Sequence, residues 1–102
     1  MIQQVIYDKL SEVRRLLKEN KVKRAYLFGS VCSNNFKEQS DVDFLVSFND
    51  NLDPIEYGEN YFKLLYALQN LLKRDVDIVA EETLSNPYLI NSINKTKVLL
   101  YE

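Results

Sequence analysis

Two aspartates one residue apart, Asp41 and Asp43, interrupt an otherwise apolar run, Asp41-Val42-Asp43-Phe44-Leu45-Val46. Side chains alternate along a strand, so both carboxylates share one face while Val42, Phe44 and Val46 take the other. Carboxylates this close raise each other's pKa unless a cation sits between them. Such a pair suits chelation of Mg2+ or Mn2+, hard ions that accept a few carboxylates and leave other positions to water and phosphate oxygens. A third carboxylate, Asp77, stands inside the apolar strand Val76-Asp77-Ile78-Val79 and completes the set if that strand pairs beside the first. Asp75 shares its register but lies at the strand mouth beside Lys73 and Arg74, where a solvated strand start is expected. Upstream, Gly29-Ser30 is separated from Asp41 by ten residues. Glycine there allows close backbone approach, successive N–H groups can cradle an anion, and the Ser30 hydroxyl adds a donor. Phosphate donors beside a divalent-metal cage are what phosphoryl or nucleotidyl transfer requires.

The elements that must position these groups are legible as periodicities. Ile2, Val5, Ile6, Leu10, Val13, Leu16 and Leu17 recur at helical spacing and predict an amphipathic helix over residues 2–19. Val22 to Phe28 reads as a strand broken by Gly29-Ser30, and residues 31–40 as a helical turn and a loop. A second strand covers Asp41 to Phe48. After a turn-rich connector closed by Asp53-Pro54, a second long helix is expected over about residues 56–73. A strand over Asp75 to Ala80 follows, then a helix capped by Asn86 with Pro87 at its first position, and a closing strand over Lys97 to Tyr101. Strands alternating with helices indicate an α/β or α+β fold, a sheet of about four strands flanked by helices.

Composition narrows the chemistry. A chain of 102 residues suggests one domain over 1–102, with 46% apolar and 27% charged residues as in ordinary globular proteins. There is no histidine and a single cysteine, Cys32, which removes histidine catalysis, an internal disulfide and cysteine-based zinc sites. Any catalytic metal is then a hard ion held by oxygen. No run is long and apolar enough for a bilayer, and the N-terminus lacks the pattern of a signal peptide, so no membrane association is expected and the cytoplasm is the default location. Residues 1–24 hold seven Lys/Arg against three acids, and the remainder six against twelve. A solvated helix face explains Arg14, Arg15 and Lys18, while an anionic partner is the sharper reading.

Gly29-Ser30, ten residues, then Asp41-Val42-Asp43-Phe44 resembles the signature of the DNA polymerase β-like nucleotidyltransferases, and most closely their minimal prokaryotic members. The similarity spans nearly the whole chain, which ends where larger members add a helical acceptor-gripping domain. The resemblance implies a polymerase β palm-like fold and a catalytic set of Asp41, Asp43 and Asp77 holding two Mg2+ ions, with Asp77 also helping to deprotonate the attacking hydroxyl. It implies that Gly29 and Ser30 hold the triphosphate of ATP, with Ser33 and Lys37 as further nucleotide-side positions. Minimal members often pair with a helical HEPN-type toxin, acting as the antitoxin and adding AMP to a toxin tyrosine. Small members commonly carry arginine and then glycine three and four residues past the serine; here Ser33 and Asn34 stand there. Serine lacks the bidentate phosphate-binding fork of arginine, Asn34 tolerates glycine's left-handed conformation, and Lys37 is the nearest replacement charge.

Two alternatives stay open. One is a binding-only module that neutralises a partner with a degenerate site, motivated by Ser33. The other is an enzyme adding nucleotides to RNA ends, supported by the basic N-terminal segment alone. The tyrosines Tyr57, Tyr61, Tyr66, Tyr88 and Tyr101 are expected to pack in the core or at its rim, and Cys32 to be a small buried side chain. An apolar helix face could also serve a homo-oligomer.

Overall fold

The computed structural model describes residues 3–33, 36–37 and 39–102. Ile2 and Asn34 of the expectations above lie outside the described residues. In chain order the elements are α1 (Gln4–Tyr7), α2 (Leu10–Glu19), β1 (Val22–Phe28), a 3-10 turn (Gly29–Cys32), β2 (Val42–Phe48), α3 (Pro54–Leu72), β3 (Val76–Ala80), a second 3-10 turn (Glu81–Thr83), α4 (Pro87–Thr96) and β4 (Val98–Tyr101). The sheet order is β3-β2-β1-β4, with β1 antiparallel to β2 and β4 and β2 parallel to β3. This mixed four-stranded sheet flanked by helices is the architecture expected from the alternation of elements.

β2 is buried along nearly its whole length because both of its neighbours pair with it and helices cover one side. Val42, Phe44, Val46 and Phe48 project into a core shared with Ala25 and Leu27 of β1 and Val76 and Ile78 of β3. Ile6, Val13 and Leu17 from the N-terminal helices and Leu64, Leu68 and Leu72 from α3 close that core. The period-2 alternation then puts Asp43, Leu45 and Ser47 on the opposite face, with Asp77 and Val79 in register beside Asp43 and Leu45. α3 starts at an N-cap, the Asp53 carboxylate accepting from Glu56 N at 2.9 Å, followed by Pro54. α4 starts likewise, Asn86 Oδ1 accepting from Tyr88 N at 2.9 Å and from Leu89 N at 3.3 Å.

Three expectations need correction. The helix predicted over residues 2–19 is two helices, because Asp8 and Lys9 form a tight turn in which Lys9 N donates to Ile6 O at 3.0 Å. The Asp8 carboxylate accepts from Gln4 Nε2 at 2.8 Å, an i,i+4 side-chain pair that supports the short first helix. Arg14 is exposed on the helix face as expected, and its Nε also donates to Leu100 O at 3.0 Å, which ties α2 to β4. Tyr66 and Tyr88 are 62% and 87% exposed rather than packed, whereas Tyr57 and Tyr61 pack at the core rim and donate to Glu82 and to Ile78 O. Cys32 is half-buried, and burial pushes its thiol pKa up, so it remains a protonated packing residue.

Phe44 is the largest fully buried side chain. Phe44→Ala is expected to lower unfolding free energy in urea by about 3–5 kcal/mol, the usual cost of an aromatic-to-alanine cavity. A loss below about 1 kcal/mol would mean that the core collapses around the gap.

Candidate active site

Three strand ends meet at one edge of the sheet. β1 runs out at Phe28, whose partner on β2 is Asp43, and Asp43 is in turn paired with Asp77 on β3. Asp41 stands one residue before β2 begins, and Val42 N donates to Asp75 O at 3.0 Å, stitching the two strand mouths together. The structure therefore brings Asp43 and Asp77 side by side on one face, with Asp41 at the entrance. Asp41 and Asp77 are exposed and Asp43 is half-buried.

Among the described residues, three ion pairs occur, and none involves Asp41, Asp43 or Asp77. The Asp43 carboxyl is pushed up to about 6, first by burial and then by the negative fields of Asp77 and Asp41. Uncompensated carboxylate oxygens of this kind fit a hard divalent cation, which would relieve the repulsion that raises Asp43. Among the described residues, no three Asp, Glu or Cys side chains come together as a group that could hold a metal ion as they stand. The donor set is instead open, as suits an ion that shares its sphere with phosphate and water.

Gly29 begins the turn beside the carboxylates in the left-handed region, with φ +78°. A Cβ added there would lie 2.6 Å from Asp43 Oδ2, so glycine is required both by conformation and by contact. Its N–H does not face outward as a free anion donor: it donates to Thr96 Oγ1 at 2.9 Å. The Ser30 hydroxyl has no hydrogen-bond partner among the described residues, while Ser30 O accepts from both Ser33 N and Ser33 Oγ at 3.0 Å. Ser33 thus closes the turn, and its carbonyl accepts from Gln3 Nε2 at 2.6 Å.

Lys37 is not brought to the carboxylates as an ion-pair partner. Its N–H donates to Ser40 Oγ at 3.0 Å, and its carbonyl accepts from Arg74 Nη1 at 3.2 Å. Arg74 also donates to Ser40 O at 3.1 Å and lies 4.5 Å over the Phe36 ring, bracing the loop that leads into Asp41. Thr96 and Arg74 were not legible as site-supporting residues. They lie far along the chain from the turn and loop they hold, and no periodicity marks such contacts.

The raised Asp43 sets a sign for pH dependence. In the unfolded chain an aspartate titrates near ~4, so ionised Asp43 opposes folding above pH about 6. The penalty fades as pH falls from 6 toward ~4 and is absent below. Asp43→Asn is therefore expected to raise the metal-free Tm at pH 7.5 and leave it unchanged near pH 4, as read by circular dichroism. A lower Tm for the variant at pH 7.5 would mean that a partner stabilises the carboxylate. Gly29→Ala should lose about 1–2 kcal/mol in urea from left-handed strain. It should also lose any Mg2+-induced rise in Tm, because Asp43 must move aside.

The profile of the family described as polymerase beta nucleotidyltransferase matches residues 11–102. A candidate protein adenylyltransferase of Methanocaldococcus jannaschii is 37% identical over 91 residues, 88% of this chain and 89% of that protein. Among solved structures, a candidate minimal nucleotidyltransferase superposes with TM-score 0.75 at 28% identity, covering 96% of this chain and 95% of that one. A complex of a tri-AMPylated HEPN toxin with an MNT antitoxin from Shewanella oneidensis superposes with TM-score 0.65 at 26% identity, over 92% of this chain and 70% of that one. Unpaired, register-matched carboxylates beside a glycine-serine turn, the mixed sheet that carries them and these likenesses agree, and the chain belongs to the minimal branch of the polymerase β nucleotidyltransferase family.

Proposed function

We propose that this chain, acting as one minimal nucleotidyltransferase domain, transfers AMP from ATP to a hydroxyl of a HEPN-type partner protein and so serves as its antitoxin. The observation that carries the reading is the register pairing of Asp43 with Asp77 on an open face, beside the Gly29-Ser30 turn. The AMPylated toxin complex of Shewanella oneidensis supports AMP as the transferred group and a HEPN protein as the acceptor.

Asp41, Asp43 and Asp77 would hold Mg2+, with two ions sharing the set and Mn2+ able to substitute. Bound there, the metal supplies charge neutralisation at the triphosphate. Ser30 donates its hydroxyl to phosphate oxygens, and Gly29 keeps the backbone close enough for that contact. Asp77, exposed at the sheet edge, accepts the proton of the acceptor hydroxyl as its oxygen forms a bond to the α-phosphorus. The bond from that phosphorus to the β-phosphate bridging oxygen breaks, and pyrophosphate leaves with the electron pair.

A binding-only reading is favoured by one feature. Where small relatives carry arginine, Ser33 folds its hydroxyl onto Ser30 O and offers phosphate no guanidinium. A transfer assay with α-labelled ATP, Mg2+ and extract from the source cells separates the readings. A labelled protein band is expected, reduced at least about a hundredfold in Asp77→Asn, the usual loss for a missing general base. Labelled RNA would instead support nucleotide addition to RNA ends. A captured, unlabelled partner would establish the binding-only module.

A further inference from the structure

The hydroxyl of Thr96 is committed to the one backbone N–H that a glycine-serine phosphate turn most readily offers. Thr96 is the last residue of α4, and its Oγ1 accepts from Gly29 N at 2.9 Å across 67 positions of sequence. Two neighbours hold it in place. Ile93, one turn earlier, is 1% exposed, and Val98, two residues later, pairs with Leu27 at the end of β1. Lys97 adds a third restraint, its ammonium lying 4.7 Å over the Tyr26 ring. The hydroxyl is thus presented to Gly29 by a rigid corner between α4 and β4.

Gly29 has little latitude on its other side. Its left-handed backbone sits against Asp43 so closely that any Cβ would reach the Oδ2 oxygen. The turn is pinned between a neutral acceptor from the C-terminal corner and a carboxylate from β2. Ser30, with its unengaged hydroxyl, follows directly.

We infer that Thr96 is a positioning residue for the nucleotide, holding the Gly29 N–H so that the phosphate donors begin at Ser30 and stand at a set distance from Asp43. The inference rests on the functional reading above, since it concerns how that same site receives a triphosphate. With the Gly29 N–H satisfied inside the protein, the turn keeps its conformation before nucleotide arrives, and less ordering is left to be done on binding.

The chain has only two glycines, so selective 15N-glycine labelling yields two amide signals, Gly29 and, inside α3, the internal control Gly58. Hydrogen exchange of both is measured in the full chain, in Thr96→Val, which keeps the shape and removes the acceptor, and in Thr96→Ser, which keeps the hydroxyl. Binding of an α,β-non-hydrolysable ATP analogue with Mg2+ is measured on the same proteins. The expected result in Thr96→Val is Gly29 exchange faster by about tenfold, the worth of one hydrogen bond, with Gly58 unchanged. The analogue's Kd rises by a similar about tenfold. Thr96→Ser restores both.

Unchanged Gly29 exchange in Thr96→Val would overturn the inference. So would faster exchange with an unchanged Kd, which would make the contact purely structural. A tighter Kd would mean that Thr96 competes with phosphate for the N–H. A wild-type chain that keeps Gly29 protected yet binds no analogue would fail the functional reading, and the positioning role with it, while leaving the contact intact.

Discussion

Parallel pairing of β2 with β3 sets two aspartates against each other. Asp43 and Asp77 are partners in register, so their carboxylates must share one face of the sheet at neighbouring-strand distance. That costs free energy at neutral pH, and the carboxyl of Asp43 is pushed up to about 6, first by its burial and then by the charges of Asp77 and Asp41. No described cation relieves the repulsion. A fold tolerates such an arrangement only if the rest of it is stable enough, and here the support comes from the other face of the same strands. Val42, Phe44, Val46 and Phe48 bury the backbone that carries Asp43 under α2 and α3.

The opposite end of the sheet shows what carboxylates look like when their work is structural. Glu81 is held by Arg24, with Nη2 2.6 Å from Oε1. Glu82 accepts from Ser47 Oγ at 2.8 Å, from Phe48 N at 3.2 Å and from Tyr57 Oη at 3.2 Å, and burial together with Glu82 pushes the Tyr57 phenol up to about 12. Both of these acids have donors aimed at them. At the Asp43 end the donors are missing and the acids remain, a difference in chemistry within one sheet rather than a difference in composition.

The turn that faces those acids is built with the same economy. Gly29 is dictated by Asp43 behind it, Thr96 takes its N–H, and Ser33 folds back on Ser30. The Ser30 hydroxyl has no hydrogen-bond partner among the described residues. Under the proposed function, an incoming triphosphate and its cation would complete such a site. The same openness suits an acceptor carried by another protein.

The amino-acid sequence by itself determined the strands, the faces and the signature. Alternation over residues 41–48 separates Asp43 from the core residues, the Gly29-Ser30 break marks the end of β1, and Asp53-Pro54 and Asn86-Pro87 start α3 and α4 close to where they were expected. These are local properties, set by side-chain period, capping and fixed φ angles. The tertiary structure alone decided what the local pattern cannot encode. It chose β3 as the neighbour of β2, so that Asp77 meets Asp43, and it broke the first helix at Asp8. It also exposed Tyr66 and Tyr88, turned Arg14 onto β4, braced the loop before Asp41 with Arg74 and brought Thr96 to Gly29. Those contacts join residues dozens of positions apart, and only the closing of the sheet and its helical layer brings them within hydrogen-bond reach.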